Sequence, residues 1–278
     1  MQIVDAQVHL YAPSTPERPW AVPTPPPHHR QEPILPDEFL RIMDEGGVDA
    51  AVIVPPEWEG KRNDLALEAA RQYPKRYAVM GRIHMERPES RGLMADWRRQ
   101  PGMLGMRLTF TSERQRPWLT DGTADWVWPA AEKAGVPLMI YAAGSLPLID
   151  GIAEKHPGLR LVIDHMAVPS GTKDAAAFAH LPDLLRLARH PNVGVKVSGL
   201  PGYSSEPYPF RPVHDAIRRA YDAFGPQRCF WGTDWTRMPC PYREAIALFT
   251  EELPWLPEAD KEWIMGRAIC EWLGWERG

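Results

Sequence analysis

Polar side chains, most of them ionisable, lie at the ends of most apolar runs in this sequence. Such residue types can perform proton transfer, anion binding and metal binding. The residues at these positions are Gln7, His9, Arg82, His84, Arg107, Tyr141, Asp164, His165, Lys196, Ser198, Asp234 and Trp235. One charged residue after an apolar run is commonly the start of a solvated loop. A whole set of buried charges is costly unless a ligand or partner compensates them. The pattern therefore predicts one shared polar site.

Eight strand-like runs carry these residues, and helix-like stretches separate the runs. The runs cover residues 2–10, 50–54, 77–84, 103–109, 137–142, 160–165, 193–198 and 228–234. Such alternation predicts an α/β fold with a parallel sheet. Eight units in 278 residues predict a single (β/α)8 TIM barrel over residues 1–278, with a closing C-terminal helix at 258–275. The carboxyl ends of the strands form the active site of such barrels, so the polar set should meet there.

A proline-rich arm at residues 11–36 follows the first strand. Nine of the 31 prolines lie between positions 13 and 36, which excludes a regular helix or a central strand there. Because the arm directly follows Gln7 and His9, we expect it to lie over the catalytic face. The alternative is a surface arm used for packing or for contacts in a homo-oligomer. His28 and His29, which lie in the arm, are expected to be structural.

The composition excludes several classes of protein. A formal net charge of -4 gives no broad basic surface, so nucleic acid is not an expected partner. Three cysteines without a CxxC pair indicate neither a disulfide framework nor a thiolate zinc site, and they favour a cytoplasmic protein. The first residues lack a signal-peptide pattern, and no apolar window is long enough to span a membrane.

Four segments carry a resemblance to a known family. VDAQVHL (4–10), LVIDHMAVP (161–169), VGVKVSG (193–199) and CFWGTDW (229–235) occur in that order, and EWIMGRAICEWLGW (262–275) follows. Together they resemble the amidohydrolase-2 family of the amidohydrolase superfamily, over nearly the whole chain. The resemblance implies a TIM-barrel hydrolase or, less often, a decarboxylase.

The sequence departs from the family pattern at two metal-binding positions. Gln7 precedes His9 where the family has His-x-His, and Tyr141 lies near the place of the family's histidine on the fifth strand. The ligands that remain for a single divalent ion, zinc or manganese, are His9, His165 and Asp234. An amide in place of an imidazole weakens the affinity for a transition metal.

The lactonases of the 2-pyrone-4,6-dicarboxylate lactonase and sugar-lactonase branch resemble this chain more closely, and several of them work without a metal. That resemblance implies hydrolysis of a lactone, with no cofactor required. Asp234 would be the general base, and His9 and His165 would donate hydrogen bonds to the carbonyl oxygen. Residues expected to bind a small, carboxylated substrate are Gln7, Arg82, His84, Arg107, Tyr141, Lys196 and Trp235.

Two alternatives stay open at this point. One is a mononuclear metal-dependent hydrolase or decarboxylase that uses His9, His165 and Asp234 as ligands. The other is a catalytically degenerate binding protein, which the lost metal-site histidines would fit. The retention of polar residues at the strand ends argues against the second alternative.

Overall fold

Eight parallel strands stand side by side in chain order in the computed structural model, which describes residues 1–22 and 24–276. The strands are β1 (Val4–Val8), β2 (Ala50–Ile53), β3 (Tyr77–Gly81), β4 (Met103–Thr109), β5 (Leu138–Tyr141), β6 (Leu161–Ile163), β7 (Val193–Ser198) and β8 (Cys229–Gly232). Just after β8, the backbone N–H of Asp234 donates to the carbonyl oxygen of Gln7 over 3.0 Å, which brings β8 beside β1. The predicted TIM barrel is confirmed. Pro23 of the arm and the last two residues of the predicted domain lie outside the described residues.

Helices connect the strands and cover the outside of the barrel. They are α1 (Pro36–Gly46), α2 (Asp64–Gln72), α3 (Val127–Ala134), α4 (Leu146–Lys155), α5 (Asp174–Ala177), α6 (Leu181–Arg186), α7 (His214–Phe224), α8 (Tyr242–Thr250), α9 (Glu258–Glu262) and α10 (Ala268–Leu273). The connection between β3 and β4 is a 3-10 helix (Pro88–Arg99), in which Gly92 lowers the α-helix propensity. Among the described residues, no helix has the length and apolar character needed to cross a lipid bilayer.

The closing helix seals the end of the barrel opposite to the strand carboxyl ends. It consists of α9 and α10 joined by a π-helical turn (Trp263–Arg267). A Cβ atom at Gly266 would lie 2.6 Å from the carbonyl oxygen of Gln2, so only glycine lets this helix approach the start of β1. Ile269 and Leu273 of α10 belong to one apolar cluster with side chains of the barrel interior. Those side chains include Val4, Val52, Met80, Val162 and Phe230.

An irregularity in β1 decides which of its polar side chains face the site. Asp5 lies opposite Ala51 and Val8 opposite Ile53, so three steps along β1 match two along β2. This extra residue acts as a bulge, which re-aims the side chains that follow it. Asp5 precedes the bulge and is not among the described residues that line the cavity. Its carboxylate accepts hydrogen bonds from the Thr233 backbone N–H and the Tyr242 hydroxyl, both at 2.9 Å.

Candidate active site

The carboxyl ends of the strands surround a cavity of about 220 Å³. Its wall is formed by Gln7, His9, Pro26, His28, His29, Glu57, Trp58, Arg82, Arg107, Thr109, Thr111, Tyr141, His165, Ser170, Asp234 and Arg237. Seven of the ten predicted site residues are in this set. The volume is below the roughly 300–1,000 Å³ of sites for drug-sized ligands, so the cavity suits a small molecule.

Two of the predicted catalytic residues, each two positions after the end of its strand, have a left-handed backbone conformation. The φ angle is 52° at His165 and 54° at Asp234. Such conformations cost a non-glycine residue about 1–3 kcal/mol and persist only where the surroundings fix them. In both cases the chain turns sharply at the strand end, and the side chain enters the cavity.

Asp234 and His9 form a buried pair at the bottom of the cavity. The Nδ1–H of His9 donates to the carbonyl oxygen of Val54 over 2.7 Å, so its Nε2 faces Asp234 Oδ1 at 3.0 Å. Burial alone would raise the pKa of the Asp234 carboxyl, but His9 and Arg237 outweigh burial and hold this pKa well below its usual range. Asp234 is therefore ionised throughout the neutral pH range.

A chain of hydrogen bonds fixes the orientation of Gln7 and the tautomer of His165. The Lys196 ammonium, which can only donate, lies 2.7 Å from Gln7 Oε1, so the Gln7 amide nitrogen points to His165 Nε2 at 2.9 Å. His165 Nε2 therefore accepts, and its Nδ1–H donates to Ser198 Oγ over 2.9 Å. Burial lowers the pKa of His165 to about 3, which agrees with a neutral ring.

Lys196 belongs to a buried ion cluster beneath the cavity. Its ammonium lies 2.8 Å from Asp164 Oδ1, and both side chains are 0% exposed. The Nε atom of Arg107 lies 2.6 Å from the other oxygen of Asp164. The carboxylate thus holds two cations in place, one under Gln7 and one in the cavity wall. Lys196 itself does not reach the described wall of the cavity, in contrast to the expected contact with substrate.

Three guanidinium groups from the described residues line the cavity. The Arg82 Nη1 donates to Thr109 Oγ1 over 3.3 Å. The Arg237 Nη1 lies 3.5 Å from Asp234 Oδ2, and the Arg107 guanidinium lies over the Tyr141 ring at 5.6 Å. Arg237 was missed by the sequence reasoning, although its place three residues after Asp234, in the turn that follows β8, is a signal that could have identified it.

Two further predicted residues lie away from the described cavity wall. His84 pairs with Glu86 at 3.1 Å and its side chain is 36% exposed, because β3 already ends at Gly81 and the chain turns outward. Trp235 packs edge-on against Phe39 of α1, with ring centres 5.4 Å apart, because the turn at Asp234 directs the next side chain outward.

The arm reaches over the cavity, as expected from its place after β1. Its two histidines were expected to be structural, yet both line the cavity. The Nδ1 atom of His29 lies 2.8 Å from Thr236 Oγ1, in the turn after β8. Burial lowers the pKa of His29 to about 3, although Asp234 opposes this change. A histidine in an irregular segment carries no periodicity, so the sequence offered no signal for its position.

The site contains a group of side chains that fits one divalent ion. A ring nitrogen from each of His9 and His29 and a carboxylate oxygen of Asp234 all lie within 4.8 Å of one another. Asp234 Oδ1 is buried, and within the described part of the chain it has no well-aligned hydrogen bond. Two imidazoles and a carboxylate are a ligand set of catalytic zinc sites, which leave a fourth position open. This set contains His29 in place of the predicted His165.

Comparison with curated proteins identifies relatives that are named as lactone hydrolases. The chain is 28% identical over 207 residues to an L-fucono-1,5-lactonase of Burkholderia ambifaria, covering 72% of this chain and 69% of the relative. It is 26% identical over 205 residues to a 4-sulfomuconolactone hydrolase of Hydrogenophaga intermedia, covering 72% of this chain and 64% of the relative.

Solved structures share the fold over nearly the whole length. A zinc-bound amidohydrolase from Burkholderia multivorans has a TM-score of 0.79 at 21% identity, covering 99% of this chain and all of that chain. A probable 2-pyrone-4,6-dicarboxylic acid hydrolase from Acinetobacter baumannii, with citric acid bound, has a TM-score of 0.77 at 18% identity and the same coverage. A 2,6-dihydroxybenzoate decarboxylase from Rhizobium has a TM-score of 0.70 at 16% identity, covering 99% of each chain.

The family itself follows from a match along the chain. A family model described as amidohydrolase matches residues 4–274, from β1 to the end of the closing helix. The match includes the four strand-end segments on which the resemblance was based. The chain therefore belongs to the amidohydrolase family, in the amidohydrolase-2 branch that its motifs predicted.

Proposed function

We propose that this protein hydrolyses a small lactone that carries an anionic group, with Asp234 accepting the proton of the attacking water. The observation that carries this proposal is the Asp234–His9 pair in a small cavity lined by three arginines. The lactone hydrolases among the relatives support the reaction class. An anionic substrate follows from the guanidinium groups, because they match the shape and charge of a carboxylate.

In this proposal His9 links the activation of water by Asp234 to the stabilisation of charge on the substrate carbonyl oxygen. The Nδ1–H of His9 is held by Val54 and its Nε2 faces the Asp234 carboxylate at 3.0 Å, so a proton on Nε2 can be donated either to Asp234 or to a substrate carbonyl oxygen. When the substrate takes this hydrogen bond, Asp234 loses a stabilising partner and becomes a stronger base. The same hydrogen bond stabilises the negative charge that develops on the carbonyl oxygen. When this intermediate collapses, the ring C–O bond breaks and the proton held by Asp234 passes to the leaving ring oxygen, which restores the carboxylate.

Gln7 is the second donor in this proposal. One N–H of its amide is used by His165, and the other remains for the carbonyl oxygen. The donor role predicted for His165 would require its Nε2 to give up the Gln7 amide. We therefore assign His165, together with Lys196, to holding Gln7 in orientation.

Arg82, Arg107 and Arg237 hold the anionic group, and the ring of Tyr141 forms one side of the cavity. A divalent ion would bind His9 Nε2, a carboxylate oxygen of Asp234 and a second histidine. It would then polarise the carbonyl group or lower the pKa of a bound water, in place of the hydrogen bond from His9 and the direct proton transfer to Asp234. A homo-oligomer and a cytoplasmic location stay predictions.

The test measures turnover of a panel of anionic and neutral lactones. Turnover is monitored through proton release with a pH indicator. Asp234→Asn should lower kcat by about 10²–10⁴-fold, the usual contribution of a positioned base. Asp183→Asn, at an exposed aspartate of α6, is the control and should keep full activity. Full turnover by Asp234→Asn would refute the assignment. Carbon dioxide release from an aromatic acid, without lactone turnover, would support the decarboxylase alternative instead.

A further inference from the structure

The two residues at the usual imidazole positions beside Asp234 are engaged with each other. The Gln7 amide nitrogen donates to His165 Nε2 over 2.9 Å, and Lys196 holds the amide in this orientation. An imidazole nitrogen that accepts a hydrogen bond has no lone pair left for a metal, and an amide N–H group has none to offer. Neither residue is therefore prepared to act as a ligand.

Another imidazole reaches Asp234 from the proline-rich arm. The ring centre of His29 lies 5.6 Å from that of His9 and 4.9 Å from that of Trp58. Its Nδ1 is next to Thr236 Oγ1, and the backbone N–H of the following residue, Arg30, donates to the Thr236 carbonyl oxygen over 2.7 Å. These two contacts fix this part of the arm to the turn after β8, with one ring nitrogen of His29 left for the cavity.

We propose that His29 completes a divalent-metal site with His9 and Asp234, and that the bound metal fastens the arm across the mouth of the barrel. His9 Nε2 and Asp234 Oδ1 are 3.0 Å apart. Two ligand atoms on a tetrahedral zinc ion are about 3.3 Å apart, given bonds of about 2.0–2.1 Å. The barrel part of the site therefore already has nearly the required spacing, and only the arm has to adjust.

This arrangement couples metal binding to closure of the arm, which the two contacts with Thr236 already favour. The barrel supplies two ligands and the arm supplies the third, so an open arm leaves an incomplete site. The ion then stabilises the closed arm by the free energy of its preferential binding. The imidazole that β1 lacks at Gln7 is replaced by that of His29, 22 residues further along the chain.

The test measures metal binding directly and needs no substrate. Zn²⁺ is titrated into the chelator-treated full-length protein by calorimetry, and hydrogen exchange of arm residues 24–36 is followed with and without Zn²⁺. We expect one bound ion and slower exchange in the arm. His29→Ala should weaken binding by more than about 100-fold and abolish the protection of the arm by Zn²⁺. His29→Gln, which can keep the bond to Thr236, should do the same.

His28→Ala is the matched control, because it removes the neighbouring ring and should change the zinc affinity by less than threefold. His165→Ala should retain most of the affinity. The proposal is overturned if the wild-type protein binds no stoichiometric Zn²⁺, if His29→Ala binds as the wild type does, or if His165→Ala loses the ion instead. Each variant is first checked by its thermal unfolding. Failure of lactone turnover would leave these results unaffected, so the two proposals fail separately.

Discussion

Replacing Lys196 with methionine tests whether this residue orients Gln7 or binds the substrate. The sequence suggested a direct contact with a substrate carboxylate. The structure places the ammonium 2.7 Å from Gln7 Oε1 and 2.8 Å from Asp164 Oδ1, with no exposed surface. Burial lowers the pKa of Lys196 to about 8, so the side chain is still a cation at pH 7. It donates a hydrogen bond to Gln7 and forms an ion pair with Asp164. Lys196→Met removes both bonds at nearly unchanged volume.

We expect Lys196→Met to lower the stability of the protein measurably and still to fold. Asp164 keeps Arg107 at 2.6 Å but loses its second cation. Removing one partner of a buried ion pair lowers the free energy of unfolding by about 3–5 kcal/mol. For a chain of this size each kcal/mol lowers the midpoint of thermal unfolding by roughly 2–4 °C. We expect Lys196→Met to unfold about 6–20 °C below the wild type, and Lys155→Met, at an exposed lysine of α4, to unfold as the wild type does.

The kinetic effect separates the two roles. Without Lys196 the Gln7 amide is free to rotate, and the loss of one oxyanion donor costs up to about 10²–10³-fold in kcat. Since Gln7 keeps His165 as a partner, we expect a tenfold or larger fall in kcat with KM within threefold. In a Gln7→Leu background the same substitution should have little further effect, because the group it orients is gone. A KM raised tenfold at unchanged kcat, or unchanged kinetics in a folded variant, would refute this reasoning.

Three more predictions follow from single contacts. Arg237→Met should raise KM for an anionic lactone about 10–100-fold, as expected for a lost charge-assisted hydrogen bond, and leave KM for a neutral lactone unchanged. Gly232→Ala should destabilise the protein by about 1–3 kcal/mol in chemical denaturation, because its Cβ would lie 3.1 Å from Asp5 Oδ1 and 3.2 Å from the Gln7 nitrogen. Burial raises the pKa of Asp5 to about 6 from 3.8, so the folded state binds more protons than the unfolded state between these values. The free energy of unfolding should therefore fall by up to about 3 kcal/mol as pH rises through this window, and Asp5→Asn should flatten that dependence.

The sequence alone determined the barrel and the end of it where the polar residues meet. Strand-like runs such as 103–109 and 193–198 coincide with β4 and β7, because a buried parallel strand must be almost continuously apolar. Once the runs are parallel neighbours, their carboxyl ends share one face. Gln7, His9, His165 and Asp234 could therefore be assigned to one site although up to 227 positions separate them.

Only the tertiary structure decided what each of these side chains does there. Gln7 and Lys196 form their hydrogen bond across 189 positions of the chain, and no local pattern encodes that pairing. The bulge in β1 gives Gln7 and His9 a different orientation from Asp5, and the left-handed turn at Asp234 turns Trp235 outward. His29 arrives through an irregular arm whose path depends on contacts with the turn after β8. Periodicity specifies which face of an element is buried, whereas the partner of each polar atom depends on contacts that form only when the elements pack together.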